Sequence, residues 1–192
     1  IISIKGFRLS PKERILLSKE KPWGLILFKR NIKSFDQIKK LIISIKKYTK
    51  DKKFPILINE EGLSVSRLSN IISHNVNANF FGNLYKVNPK IALKIYEIYL
   101  ESLCTNLKSI GINFNTVPVL DVLRNNTNKI IGKRSFSKNE KIVKKLGEIT
   151  IRKCHSNNIV TVMKHIPGHG CSNIDSHLSL PKINLSESEL NK

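Results

Sequence analysis

The residues with the clearest chemical potential lie between positions 164 and 177, in the sequence KHIPGHGCSNIDSH. Three of the chain's five histidines fall in this stretch, together with a lysine and an aspartate. One proline and two glycines interrupt it, so we expect its first two residues to end a strand and the remainder to form a loop. A loop this rich in titratable groups is a candidate site for proton transfer or ligand binding.

Two kinds of chemistry fit this stretch. In the first, Asp175 accepts a hydrogen bond from one ring nitrogen of His177, which fixes the tautomer and leaves the other nitrogen free for proton transfer. In the second, His165 and His169 join that pair as metal ligands. The helical two-histidine motif of zinc hydrolases needs an unbroken helix, which the proline and glycines exclude here. Proton transfer is therefore the favoured interpretation, and we predict no metal and no other cofactor.

The elements that must position this stretch are short apolar runs rich in β-branched residues, which alternate with segments of helical period. None of the runs alternates between polar and apolar residues, as expected of strands buried on both faces of a parallel sheet. The unexplained polar residues follow the carboxyl ends of these runs, and that rim carries the chemistry in βα barrels. We predict the α/β fold class, as a (β/α)8 TIM-barrel type. The candidate strands are Ile1–Ile4, Gly24–Phe28, Pro55–Asn59, Asn113–Val119 and Val160–His165.

Helix starts can also be predicted from local sequence. Capping-box patterns begin at Ser34, Ser137 and Ser186, and Asn88 followed by proline predicts a helix that ends before Gly111. The pattern at Ser186 leaves little room for a helix before the last residue. About five β/α units are visible, whereas an eight-stranded barrel typically needs roughly 250 residues. We therefore expect residues 1–192 to be a single barrel domain that is incomplete at its C-terminus.

Composition narrows the class of protein. The net charge is +20, but 27 of the 34 basic residues are lysines spread along the whole chain, without the arginine-rich or aromatic surface that nucleic-acid recognition favours. A nucleic acid is therefore not an expected partner. No run of eighteen apolar residues occurs, so a membrane is not expected either. The three cysteines match no disulfide framework, and the first residues lack the pattern of a secretory signal. We expect a cytoplasmic monomer.

The histidine-rich stretch also resembles a known family. Lys-His-Ile-Pro-Gly-His-Gly, followed after four residues by Asp-Ser-His, is similar to the hallmark of the bacterial β-N-acetylhexosaminidases of glycoside hydrolase family 3, which usually have Phe where Ile166 stands. The resemblance covers nearly the whole chain, because three further segments are similar to the family's second strand, fourth strand and arginine loop. These segments are Gly24–Asn31, Thr116–Asp121 and Ile131–Phe136.

This resemblance implies hydrolysis of terminal, non-reducing β-linked N-acetylglucosamine from glycosides such as peptidoglycan fragments, with retention of configuration. The implied partner is an N-acetylglucosamine-containing oligosaccharide or a muropeptide. His177 is the implied general acid/base, and Asp175 orients and tunes it. The nucleophilic aspartate of the family belongs to a strand beyond Lys192, so we expect residues 1–192 alone to be inactive. A degenerate, non-catalytic sugar-binding homologue is the alternative. The residues implied to bind substrate are Lys164, His165, Arg134, Arg67 and Asn59.

One segment departs from the family pattern. At its third strand the family normally has Asp-Gln-Glu-Gly-Gly-Arg-Val-x-Arg, in which the Asp holds sugar hydroxyls, but this chain begins that segment with Asn59. An asparagine keeps one acceptor oxygen and loses the charge, so its hydrogen bonds to hydroxyls weaken. Glu60 is not expected to substitute, because neighbouring residues of a strand point to opposite faces.

Overall fold

The computed structural model describes residues 1–183 and 185–190, along which helices and strands alternate. Single 3-10 turns follow β-strands in three of the connecting loops, at residues 29–31, 132–134 and 169–171. The helices and strands, in chain order, are α1 (Pro11–Lys19), β1 (Leu25–Leu27), α2 (Phe35–Thr49), β2 (Ile56–Ile58), β3 (Glu60–Gly62), β4 (Val65–Ser66), α3 (Ala78–Val87), α4 (Pro89–Ile110), β5 (Phe114–Asn115), α5 (Glu140–Ser156), β6 (Val160–Thr161) and α6 (Glu187–Leu190).

Four of the strands form one parallel sheet in the order β1-β2-β5-β6. An isolated parallel bridge joins Ile2 to Leu25, and a second joins Val119 to Lys164 beyond the ends of β5 and β6. All five predicted strand segments therefore lie side by side in parallel, although four of them contain only two or three residues of regular strand and Ile1–Ile4 contributes a single bridge. The predicted α/β fold class is confirmed. The arrangement is that of part of a (β/α)8 barrel, and within the described residues the sheet does not close.

The core explains why the strands lack polar alternation. All three residues of β2 are buried, because helices and the neighbouring strands cover both of its faces. Four residues of α2 with helical spacing are buried in the same core, and burial of each such aliphatic side chain contributes about 1.5–3 kcal/mol. These residues are Ile38, Leu41, Ile42 and Ile45.

A second apolar cluster joins α3, α4 and α5 to Phe136. The hydroxyl of Tyr96 on α4 lies 2.7 Å from that of Thr150 on α5. Gly82 allows α3 to approach the chain closely, since a Cβ at this position would lie 1.8 Å from the carbonyl oxygen of Phe136. This packing fixes the segment that carries Arg134 beside α3.

The predicted helix starts are partly correct. Ser34 caps α2 by accepting from the amide of Gln37, and Asn88 caps α4, which ends at Gly111 in the left-handed conformation. The predicted start at Ser137 is wrong, because Asn139 caps α5. Ser137 is buried, and its hydroxyl accepts from the Asn139 amide, so it orders the turn that precedes the helix.

Two other helices bear on the predictions from sequence. A reciprocal capping box between Ser10 and Glu13 begins α1, which the sequence reasoning did not identify. The short helix α6 follows the predicted start at Ser186. The predicted capping box also involves the side chain of Glu189, which lies outside the described residues. Within the described part of the chain, no helix combines the length and the apolar character needed to cross a membrane.

Candidate active site

A cavity of about 590 Å³ lies at the carboxyl ends of β2, β5 and β6. Because the strands are parallel, the residues that follow them meet at one edge of the sheet. A groove of similar volume, about 580 Å³, lies between the N-terminal segment and α2, but none of the predicted site residues lines it. Six of the seven predicted site residues line the first cavity, namely Asn59, Arg67, Arg134, Lys164, His165 and His177.

The seventh predicted residue, Asp175, is bonded to His177 at the edge of this cavity. Its Oδ1 atom lies 2.7 Å from the Nδ1 atom of His177 and accepts a bond of 2.9 Å from the amide of the same residue. Both bonds lower the pKa of Asp175, and the bond from the backbone amide has the larger effect. An ionised carboxylate only accepts, so Nδ1 carries the proton and Nε2 remains available for proton transfer. The His177 side chain is 74% exposed and is therefore open to a ligand.

Asp121 forms a similar carboxylate–histidine pair with His165. Its Oδ2 atom lies 2.6 Å from the Nδ1 atom of His165, and its Oδ1 atom accepts from the amide of Gly170. Burial raises the pKa of Asp121, but the hydrogen bond and charge of His165 outweigh this effect and lower it below its usual value. The buried carboxylate thus ties the histidine-rich loop to the chain that follows β5. Sequence reasoning placed Asp121 at a strand end but did not name it as a site residue.

Glu61 is a second site residue that sequence reasoning did not name. Its carboxylate accepts from Arg134 Nε at 2.8 Å and from Arg134 Nη2 at 3.0 Å, and it lies 2.5 Å from Lys164 Nζ. Burial raises the pKa of Glu61, but the bond from Arg134 and the charges of both cations reverse the effect and lower it. Burial also lowers the pKa of Lys164, and Glu61 opposes that change. The sequence signal for this residue is the Glu of the family's Asp-Gln-Glu-Gly segment.

Asn59 and Glu60 separate as expected for neighbours on an extended chain. Glu60 is fully buried away from the cavity, where its carboxylate lies 2.6 Å from His74 Nε2 and accepts from the amides of Arg67 and Leu68. Glu60 therefore holds the backbone of the β3–β4 hairpin, and it does not replace the aspartate that the family has at position 59.

Asn59 instead belongs to a chain of polar contacts inside the cavity. Its Oδ1 atom accepts from the hydroxyl of Thr116, and Thr116 Oγ1 in turn accepts from Lys164 Nζ at 3.0 Å. Two further residues of the cavity wall have buried nitrogens without a partner among the described residues. These are Nε of Arg67 and both ring nitrogens of His169.

The metal alternative finds no ligand set in the described part of the chain. Within residues 1–183 and 185–190, no group of three or more His, Cys, Asp or Glu side chains converges in a way that would hold a metal ion. His165 is paired with Asp121 and His177 with Asp175, so three of the four predicted ligands belong to two separate carboxylate–histidine pairs. The arrangement suits proton transfer to a polar ligand that is held by several cations and an amide.

Comparison with known proteins identifies close parallels for this arrangement. Residues 2–192 match the family described as the glycosyl hydrolase family 3 N-terminal domain. Beta-hexosaminidase A of Pseudoalteromonas piscicida is 32% identical over 191 residues, which cover 96% of this chain and 31% of that protein. A beta-hexosaminidase of Xanthomonas campestris pv. campestris (strain B100) is 29% identical over 178 residues, 93% of this chain and 53% of that protein.

A solved structure agrees with these relatives. The crystal structure of NagZ from Neisseria gonorrhoeae in complex with N-trifluoroacetyl-D-glucosamine is 30% identical and superposes with a TM-score of 0.88. The superposition covers 99% of this chain and 56% of that chain. This chain therefore spans about half, or less, of the length of the relatives that it matches.

Proposed function

This chain belongs to glycosyl hydrolase family 3, and we propose that the protein hydrolyses terminal, non-reducing β-linked N-acetylglucosamine residues. The observation that carries this proposal is the bond between Asp175 and His177 at the edge of the cavity. Two relatives are named beta-hexosaminidase, and a similar structure holds N-trifluoroacetyl-D-glucosamine, which supports an N-acetylated amino sugar as the bound unit.

In the proposed mechanism, His177 is the general acid/base. Its Nε2 atom delivers a proton to the glycosidic oxygen and later accepts one from the attacking water, while Asp175 holds the proton on Nδ1 and stabilises the charged ring. A retaining glycosidase also needs a carboxylate that forms the covalent glycosyl-enzyme. Glu61 is the carboxylate that lines the described cavity, and both of its oxygens are engaged by Arg134 and Lys164. We assign the nucleophile to an aspartate outside residues 1–192.

The remaining cavity residues provide the binding half of the site. In the proposal, Lys164, His165, Arg134, Arg67 and Asn59 hold the hydroxyl and acetamido groups of the sugar. Most of these side chains are hydrogen-bond donors fixed by a second residue, and such preorganised donors hold a sugar in one orientation at small entropic cost. We further propose N-acetylglucosamine-containing oligosaccharides or muropeptides as the substrates, and the recovery of peptidoglycan fragments in the cytoplasm as the setting.

The test compares two aryl glycosides that differ only at the 2-substituent. The complete encoded polypeptide that contains residues 1–192 is incubated with 4-nitrophenyl N-acetyl-β-glucosaminide and with 4-nitrophenyl β-glucoside. We expect release of nitrophenol from the acetamido sugar at least about tenfold faster, because the hydroxyl analogue loses bonds to the acetamido group. Equal rates, or no hydrolysis of either, contradict the proposal. Binding of N-acetylglucosamine without hydrolysis identifies the non-catalytic homologue instead.

A further inference from the structure

The cavity contains more positive than negative charge. Arg67, Arg134 and Lys164 line it, and Glu61 is the carboxylate among the described lining residues, so three cations face one anion there before the histidines are considered. The nucleophilic aspartate assigned above raises the number of anions to two, and an excess of positive charge remains. A partly enclosed site with an excess of one sign of charge attracts ligands of the opposite sign.

The negative charge of Glu61 is already paired with Arg134 and Lys164. One oxygen accepts from Arg134 Nε, and the other lies within bonding distance of both Arg134 Nη2 and Lys164 Nζ. By contrast, no acidic side chain in the described part of the chain pairs with the guanidinium of Arg67, whose Nε atom is buried and unpartnered. Glu60 approaches Arg67, but it binds the backbone amide. A guanidinium without a counter-ion in a partly buried position is costly, and a ligand anion removes that cost.

Asn59 adds a donor where the family has an acceptor. Lys164 donates to Thr116 Oγ1, so the hydroxyl proton of Thr116 points to its other neighbour, Asn59 Oδ1. That bond uses one of the two lone pairs of the amide oxygen. Asn59 lines the cavity, and among the described residues its Nδ2 atom has no hydrogen-bond partner. At this position an aspartate accepts from sugar hydroxyls and cancels one positive charge. Asn59 does neither.

We propose that the cavity selects N-acetylhexosaminides whose non-reducing sugar carries an oxyanion, as a sulfate ester or a carboxylate, and that Asn59 determines this specificity. This inference rests on the proposed function and names the substrate class within it. The oxyanion accepts from Asn59 Nδ2 and neutralises Arg67, whereas a neutral hydroxyl does only the first. Charge-assisted hydrogen bonds are roughly twice as strong as neutral ones, so the anion gains where the neutral sugar does not.

Binding measurements on the complete encoded polypeptide test the proposal without depending on turnover. Isothermal titration calorimetry compares N-acetylglucosamine with its 4-O-sulfate, its 6-O-sulfate and N-acetylglucosaminuronic acid. We expect at least one anionic sugar to bind about tenfold more tightly than the neutral one, with the advantage shrinking at high salt. A preference for a sulfate identifies an ester as the recognised group, and a preference for the uronic acid identifies a carboxylate.

Two variants with the same change of charge assign the effect to its residue. In Asn59→Asp the restored carboxylate repels the oxyanion, so we expect the preference to disappear and the neutral sugar to bind more tightly. Asn83→Asp places the same charge on an exposed position of α3 and should keep the wild-type preference. A preference that survives in Asn59→Asp overturns the role of Asn59.

The outcomes also separate this inference from the proposed function. Equal wild-type affinities for the neutral and all anionic sugars overturn the inference and leave an N-acetylglucosaminidase with ordinary specificity. Failure to bind any of the four sugars contradicts both. Tighter binding of an anionic sugar, lost in Asn59→Asp and kept in Asn83→Asp, is the result that we expect.

Discussion

Glu61 accepts two hydrogen bonds from Arg134, one from Nε to Oε2 at 2.8 Å and one from Nη2 to Oε1 at 3.0 Å. The two residues lie 73 positions apart in the chain, with Glu61 on β3 and Arg134 in the 3-10 turn at residues 132–134. A guanidinium matches a carboxylate in this two-point geometry, whereas an ammonium offers a single point charge. The pair therefore fixes the direction in which Arg134 presents its remaining donors to the cavity.

Replacing Arg134 with lysine should weaken substrate binding while keeping the charge. We expect Arg134→Lys to raise KM for an aryl N-acetyl-β-glucosaminide about tenfold, because the two-point bond is lost. Arg152→Lys is the matched control, since Arg152 on α5 makes one exposed ion pair with Glu97 on α4. A KM for Arg134→Lys equal to that of the control shows that the orientation of Arg134 is not important for binding.

Replacing Asp175 with asparagine should slow proton transfer without weakening binding. The amide has nearly the size of the carboxylate but does not stabilise a charged imidazole, so we expect Asp175→Asn to lower kcat about 10²-fold with little change in KM. Asp51→Asn serves as the control, because Asp51 is an exposed residue that accepts from the amide of Lys53. Steady-state kinetics decide the matter, and an increase in KM at constant kcat speaks against the assigned role.

The Asp121–His165 pair predicts how stability depends on pH. The pKa of Asp121 is lowered from its ordinary value of 3.8 in the folded protein. Its stabilising effect is therefore complete above that value and is lost as the pH falls through the lower, folded-state pKa. We expect the free energy of unfolding, measured in urea from pH 6 to pH 2.5, to fall in the acid range, and to fall less in Asp121→Asn. Parallel curves for the two proteins rule out this contribution.

Gly170 allows the histidine-rich loop to touch the chain that follows β5. A Cβ at this position would lie 2.2 Å from the carbonyl oxygen of Val122, so Gly170→Ala must displace the loop. We expect a loss of stability of about 1–3 kcal/mol, together with lower kcat as His177 moves. Gly6→Ala is the control, since nothing lies within 4 Å of the added atom. Unfolding and activity indistinguishable between the two variants exclude the close contact.

The sequence alone predicted the convergence of the candidate site. Apolar runs without polar alternation indicate parallel strands, and parallel strands deliver the residues that follow them to one edge. That reasoning brings Asn59, Asp121 and Lys164 together although they are far apart in the chain, whereas Arg134 was implied only by the resemblance to the family. The prediction succeeds because it depends on a repeated property of the fold and not on any individual contact.

What could not be predicted depends on contacts between distant residues. Nothing in the local sequence shows that Glu61 binds Arg134, or that His74 is the partner of Glu60 on the opposite face. The predicted start of α5 was wrong for a related reason. Ser137 and Asn139 are both good caps, and the burial of Ser137 among its tertiary neighbours decides between them.

The role of His177 is tested most directly by the kinetics of His177→Ala in the complete encoded polypeptide. His155→Ala is the control, because His155 is an exposed residue of α5 that contacts Thr161 and does not line the cavity. With an aryl N-acetyl-β-glucosaminide we expect kcat of His177→Ala to fall about 10²–10⁴-fold, as loss of a general acid/base predicts. The affinity for N-acetylglucosamine should stay within about twofold of wild type, because the binding residues are unchanged. A kcat for His177→Ala equal to that of His155→Ala contradicts the assignment of His177 as the acid/base.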